Sequence, residues 1–166
     1  MSGVPLVILV SNPLIRDGRI LIEPDVLGVL DRFRQRDLST REAGGILLGY
    51  RRGIHLHVVD LTTPHSNDTR RRTGFHRESN EHQRVALARW SASGGVMDYL
   101  GEWHTHPERA PVPSAIDRNE WKVIVADRTT PMLFLILGTM GLPWLGVGAR
   151  MQFERVQIPD QSTKIS

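Results

Sequence analysis

The apolar residues of this chain fall in short runs with two different spacings, and that alternation restricts the fold more than any other feature of the sequence. Ile46-Leu47-Leu48 and Met132 to Leu137 are continuous apolar stretches of strand length. Val26, Leu27, Leu30 and Phe33 instead follow Pro24 at helical spacing, which predicts a helix over 24–36. The same reading gives strands within 1–10 and 18–23, and a buried strand up to Tyr50 entered through Gly44-Gly45. Further strands fall at 54–63, 96–106, 132–137 and 144–153, and helices at 78–93 and 114–127. A polar, Arg-rich segment, 64–74, carries no regular pattern. Strands interleaved with helices make an α/β fold with a mixed β-sheet flanked by helices the expected architecture.

The 166 residues suit one domain, expected over 1–160, with 161–166 as a flexible C-terminal tail. Apolar residues at 40% and charged residues at 23% are an ordinary globular balance. The absence of cysteine excludes disulfides, thiolate zinc fingers, iron–sulfur clusters and cysteine nucleophiles together, so a metal site must use His, Asp or Glu. It also fits a reducing cytoplasm, the expected location. The start of the chain has no basic leader, and its apolar run ending at Val10 is too short to span a membrane. Net charge is +3, nearly all of the basic residues are Arg, and acids are spread throughout. A nucleic-acid binder would concentrate its cations in a stripe, so neither nucleic acid nor membrane is an expected partner.

The stretch Gly101-Glu102-Trp103-His104-Thr105-His106-Pro107 carries the chemistry. On a strand, residues two apart face the same way, so His104 and His106 aim their imidazoles together while Trp103 and Thr105 face the other way, Trp103 toward the core. Pro107, lacking an N–H, ends the ladder. Ser114 is a good helix N-cap, and Asp117 lies three residues on, in the first turn. If that helix returns to the strand's end, Asp117 is a third ligand. Two histidines and one carboxylate around zinc leave a fourth position for water, the layout of a catalytic rather than a structural site. Such a site needs a base. Glu42 is the candidate, because it precedes Gly44-Gly45 and a buried strand, where a carboxylate has little structural purpose. Glu102, on the same strand face as the two histidines, is its main rival. Ser114 could donate to an oxyanion. His55 and His57 form a second His-x-His without these companions and read as structural or solvent-facing. Trp90, Trp121 and Trp144 read as core or interface packing.

Glu42 followed by Gly45-Ile46-Leu47-Leu48-Gly49, then His104-Thr105-His106-Pro107, then Ser114-Ala115-Ile116-Asp117, resembles the JAMM/MPN (JAB domain) zinc metallopeptidases. The match covers about 42 to 137 and includes the ten-residue gap between His106 and Asp117. The resemblance implies the cytidine-deaminase-like MPN fold. It also implies one Zn²⁺ per chain on His104, His106 and Asp117, with Glu42 as base and Ser114 as oxyanion donor. The implied activity is cleavage of the amide bond after the C-terminus of a ubiquitin-like or similarly conjugated protein. The compact length looks like the bacterial branch of the family, and the Gly101-Glu102-Trp103-His104-Thr105-His106-Pro107-Glu108 wording with the Arg-rich insert is similar to deconjugating peptidases of CBASS antiphage operons, which act on nucleotide-cyclase conjugates. C-terminal processing of a small sulfur-carrier protein is the alternative, and a metal-free scaffold the non-enzymatic one. Paired chains are common in the family, so a homodimer is possible. The Arg-rich segment reads either as a solvated charge run or as a flap in which Arg70, Arg72 and Phe75 grip an extended substrate tail.

Overall fold

The computed structural model describes residues 6–71, 74–76 and 79–159. Arg72 and the tail 161–166 therefore lie outside the described residues. The chain runs β1 Ile8–Ser11, β2 Arg19–Ile22, α1 Pro24–Asp31, β3 Gly44–Arg52, β4 His55–Leu61, β5 Thr69–Arg71, β6 Gly74–His76 and α2 Ser79–Ala92. It continues through β7 Asp98–Thr105, α3 Ala115–Val125, β8 Met132–Leu137, β9 Trp144–Ala149 and β10 Gln152–Val156. Eight strands make one mixed sheet in the order β1-β2-β4-β3-β7-β8-β9-β10, and β5 and β6 form a separate hairpin. Two pairings are parallel, β2 with β4 and β7 with β8, and the rest are antiparallel. This is the mixed α/β architecture the interleaved pattern leads to.

The alternation along β8 shows how the sheet divides two cores. Leu133, Leu135 and Leu137 face α1 and pack with Leu30, Trp103 and Val147. Met132, Phe134 and Ile136 face α3 and pack with Trp121, Val125 and Trp144. Both faces are covered, which is why β8 reads as a continuous apolar run rather than an alternating one. Among the described residues, no helix is long and apolar enough to cross a membrane.

The structure differs from the sequence expectations in several places. The first helix stops at Asp31 instead of 36, because Arg34 and Arg36 fold back on it. Arg34 Nε donates to the Asp31 carboxylate at 2.6 Å, and Arg36 donates to the Asp31 carbonyl at 3.0 Å and its carboxylate at 2.8 Å. The strand expected over 144–153 is two strands. The chain reverses at Arg150, whose φ of 50° is left-handed, and β10 returns antiparallel to β9. The segment 64–74 holds a strand, β5, and begins a hairpin. Gly44 and Gly45 lie within β3 and pair with His104 and Trp103. Trp121 and Trp144 are core residues, whereas Trp90 is 49% exposed and is not.

Candidate metal centre

The centre is assembled where β3 and β7 leave the sheet beside the start of α3. β7 ends at Thr105, but the next N–H keeps the chain extended: His106 donates to the Leu137 carbonyl at 3.0 Å. His106 thus continues the alternation begun by His104, and the two Nε2 atoms face each other at 3.0 Å. The His104 ring rests near Trp121, centroids 6.1 Å apart, and Trp121 stacks on Trp144 and Phe153. Helix α3 does return to this point. A reciprocal capping box fixes its first turn: the Asp117 N–H donates to Ser114 Oγ at 3.1 Å, and the Ser114 N–H donates to Asp117 Oδ2 at 2.8 Å. The Asp117 carboxylate then stands across both imidazoles, Oδ1 3.3 Å from His104 Nε2 and Oδ2 3.2 Å from His106 Nε2. Closing the capping box and standing across both imidazoles are geometrically compatible in one side chain.

The donor set fits a small divalent cation. The two Nε2 atoms lie 3.0 Å apart, one Asp117 oxygen lies 3.3 Å from the first and the other 3.2 Å from the second, and one ligand atom from each residue falls within 4.8 Å of the others. A tetrahedron with bonds of about 2.0 Å has edges of about 3.3 Å. Among the described residues, His104, His106 and Asp117 form the one such His/Asp/Glu group. Among the described residues, the buried His106 Nδ1 has no hydrogen-bond partner, and a Glu108 carboxylate oxygen stands 3.9 Å from it.

Glu42 borders the same cleft, as do Glu102, Phe75 and Ser114. It is 7% exposed. Burial pushes its carboxyl up to about 7, Asp117 and Glu108 push the same way, and only His106 opposes them. Asp117 behaves oppositely. Burial raises it, but the hydrogen bonds from His104 and His106 outweigh burial and hold it well below the usual carboxylate range. For His106, burial acts downward and the Asp117 hydrogen bond and charge act upward more strongly, so its pKa is raised. Two carboxyls in one cleft are thus driven apart.

The backbone around Glu42 is held from several sides. The Glu42 N–H donates to the Arg71 carbonyl at 2.5 Å, and Arg70 Nε donates to the Glu42 carbonyl at 3.0 Å. Arg70 therefore spends at least part of its guanidinium on the peptide of Glu42. Phe75 reaches the cleft over Gly44, where an added Cβ would meet its ring at 2.6 Å. A Cβ on Gly45 would overlap the Thr62 carbonyl, so the two glycines allow a close backbone approach. Ser114 Oγ accepts from Asp117 and keeps its own O–H to donate. Glu102 accepts from the Tyr99 hydroxyl at 3.1 Å.

Sequence reasoning missed three residues around this centre. Thr105, fully buried, accepts from the Ala43 N–H at 3.0 Å and donates to Gln35 at 3.0 Å, pinning the residue next to Glu42 against the histidine strand. Parity turned Thr105 away from the two histidines but gave no partner. Gln35 is 70 positions away and carried no signal. Glu108, two residues past His106, was quoted with the motif but given no role.

A mixed sheet that presents two histidines, a helix-start aspartate and a nearby buried glutamate defines a metallohydrolase centre of the JAB type. Residues 27–154 match the family model "Prokaryotic homologs of the JAB domain", and the chain belongs to this family. It is 41% identical over 131 residues to the "CD-NTase/cGAS isopeptidase" of Escherichia coli (strain TW11681), covering 78% of this chain and 82% of that one. It is 45% identical over 118 residues to the protein of the same description from Pseudomonas aeruginosa (strain BWHPSA011 / Pa011), covering 68% and 75%. The solution structure of protein DSY2949 from Desulfitobacterium hafniense shares the fold, with a TM-score of 0.61, 21% identity, and 82% and 88% coverage. The chain is a JAMM-type metallopeptidase of the deconjugating, isopeptidase kind, and it uses a metal ion.

Proposed function

We propose that His104, His106 and Asp117 hold one zinc ion, that Glu42 is the catalytic base, and that the substrate is a protein conjugated through the C-terminus of a nucleotide cyclase. The observation that carries this reading is the convergence of one ligand atom from each of three residues within 4.8 Å, beside a buried carboxyl that burial pushes up to about 7. Zinc suits the nitrogen and oxygen donors, and when bound it supplies Lewis acidity and water activation near neutral pH. The remaining roles belong to the chain. Cationic charge at the three ligands draws the Glu42 carboxyl down into its basic form at neutral pH. Glu42 takes the proton of the attacking water and delivers it to the leaving nitrogen as the C–N bond breaks. The Ser114 hydroxyl donates to the carbonyl oxygen as charge develops there. Phe75 and the β5–β6 hairpin form the wall along which an extended tail lies, with Arg70 beside it.

The cyclase assignment follows the name borne by the relatives at 41% and 45% identity, CD-NTase/cGAS isopeptidase. It makes this a cytoplasmic enzyme of bacterial antiphage defence. The test is a fusion of a bacterial nucleotide cyclase, through its C-terminus, to a reporter protein. Wild type should cut at the cyclase's last residue, stop cutting with chelator, and resume with added zinc. Glu42→Ala should retain the metal and leave the fusion whole. Cutting that continues undiminished in chelator, or in Glu42→Ala, ends this assignment.

A further inference from the structure

A buried chain of polar side chains behind the cleft has no part in the chemistry proposed above. His82 on α2 is 1% exposed, and its Nε2 lies 2.7 Å from the fully buried carboxylate of Asp68. A carboxylate only accepts, so Nε2 carries the hydrogen and Nδ1 meets the Thr62 hydroxyl at 2.5 Å. The same Asp68 oxygen accepts the His65 N–H at 2.8 Å, and the His65 ring stands edge-on to His82. Thr62 ties this chain to the sheet. Its N–H donates to the Ile46 carbonyl at 3.0 Å, its hydroxyl accepts the Ile46 N–H at 2.9 Å, and its carbonyl accepts the Trp103 indole N–H at 2.9 Å. Trp103 is the residue before the ligand His104.

Two features show what this chain does. First, α2 is not seated by apolar burial: Leu87 is 65% exposed and Trp90 49%. A directional set of hydrogen bonds, satisfied at each step, holds α2 in one place where packing would leave several. Second, Asp68 leads directly into β5, and the far end of that hairpin grips the peptide of Glu42 through the Arg71 carbonyl and the Arg70 guanidinium. The hairpin thus has one anchor on the base and the other on Asp68 and His82.

We infer that His82 is a positioning residue: the Asp68–His82–Thr62 chain locks the β5–β6 hairpin against the sheet and thereby holds Glu42 at the metal cleft. Only the consequence for turnover rests on the proposed role of Glu42.

The structural arm is amide hydrogen exchange on the full chain in chelator. In His82→Ala, protection should fall about tenfold at the Glu42 amide and across 69–71 and 74–76, while β8 keeps its own. Unchanged protection at Glu42, or an equal fall throughout β8, overturns the inference. Should His82→Ala fail to fold, His82→Gln keeps a donor for Asp68 and drops Thr62, and it is judged by the same two results. The kinetic arm uses the zinc-loaded protein and the cyclase fusion. His82→Ala should lose about tenfold to a hundredfold in kcat, with KM and zinc content unchanged. It should cause no further loss in a Glu42→Gln background, which a residue serving stability alone would not obey. A loss carried by zinc content instead overturns the inference. A fusion that no variant cuts removes the proposed substrate, and hydrogen exchange then decides the role of His82 alone.

Discussion

This chain contains the same tripeptide pattern twice, and the two copies do different things. His55-Leu56-His57 lies on β4 and His104-Thr105-His106 at the end of β7. Strand parity puts both histidines of each pair on one face. On β4 each ring is claimed separately. His55 Nδ1 accepts the Arg19 N–H at 3.0 Å; His57 Nε2 lies 2.6 Å from Glu23, and its Nδ1 accepts from Arg52 at 3.0 Å. On β7 the Nε2 atoms are left to face each other, and a helix returns a carboxylate across both. A His-x-His pair is therefore only a frame. Its function is decided by what the chain brings back to it.

The comparison breaks most sharply when the returning groups are removed. Glu42→Gln should cost about 10²–10⁴-fold in turnover while zinc content stays near about one per chain, since a base contributes in that range. His104→Ala and Asp117→Asn should instead lose the metal, and turnover with it. Metal analysis of the purified variants beside a fusion assay separates these outcomes. Retained zinc in His104→Ala would place the ion elsewhere.

The next effect is on stability and belongs to Glu42 without metal. Its folded pKa, about 7, is raised above the ordinary value of 4.5, chiefly by burial. A raised carboxyl contributes fully below its unfolded pKa, and the contribution is lost as pH rises through the folded one. Over that window the loss is about 3 kcal/mol, at about 1.4 kcal/mol per pH unit. In chelator, wild type should therefore weaken relative to Glu42→Gln between pH 5 and pH 8, measured by urea unfolding. Zinc should shrink the difference, because the cation favours the ionised form. An equal gap at both pH values would show that Glu42 is not forced to ionise in a dry site.

These two expectations concern residues that short-range pattern brought into view, and the reason is physical. Parity along β7, the cap at Ser114 and the glycines after Glu42 are local rules, and each fixes one side chain without knowledge of the rest. The residues that stayed hidden act through contacts between distant parts of the chain. Gln35 meets Thr105 across 70 positions, and His82 meets Thr62 across 20. The β9–β10 reversal was hidden for another reason. It turns at Arg150 in a left-handed conformation, with no glycine, asparagine or proline to announce it. The β5–β6 hairpin has too few apolar residues to show a period of two. The end of α1 was masked because Arg34 and Arg36, good helix formers, bind Asp31 instead of continuing the helix.

The middle residues of the two pairs sharpen the contrast further. Leu56 is 4% exposed in an apolar core, whereas Thr105 is fully buried and polar. Thr105→Val keeps shape and volume but removes the acceptor of the Ala43 N–H and the donor to Gln35. A buried N–H left without its partner costs about 1–3 kcal/mol. Because Ala43 adjoins Glu42, turnover should fall as well, with zinc content unchanged. A variant as stable and as active as wild type would show that the hydroxyl does not brace the base.

The smallest effect comes from dismantling the other pair. His57→Ala removes the contact to Glu23 and the acceptor for Arg52. Its side chain is 18% exposed and that of Glu23 39%, so solvent screens much of the interaction. A loss of about 0.5–1.5 kcal/mol is the expected outcome, read from the urea midpoint, with zinc content and turnover as in wild type. The same substitution at His104, identical in chemistry and one pattern along the chain, should empty the metal centre. If His57→Ala also lost its metal, the two pairs would belong to one system, and the returning carboxylate at Asp117 would no longer set one pair apart from the other.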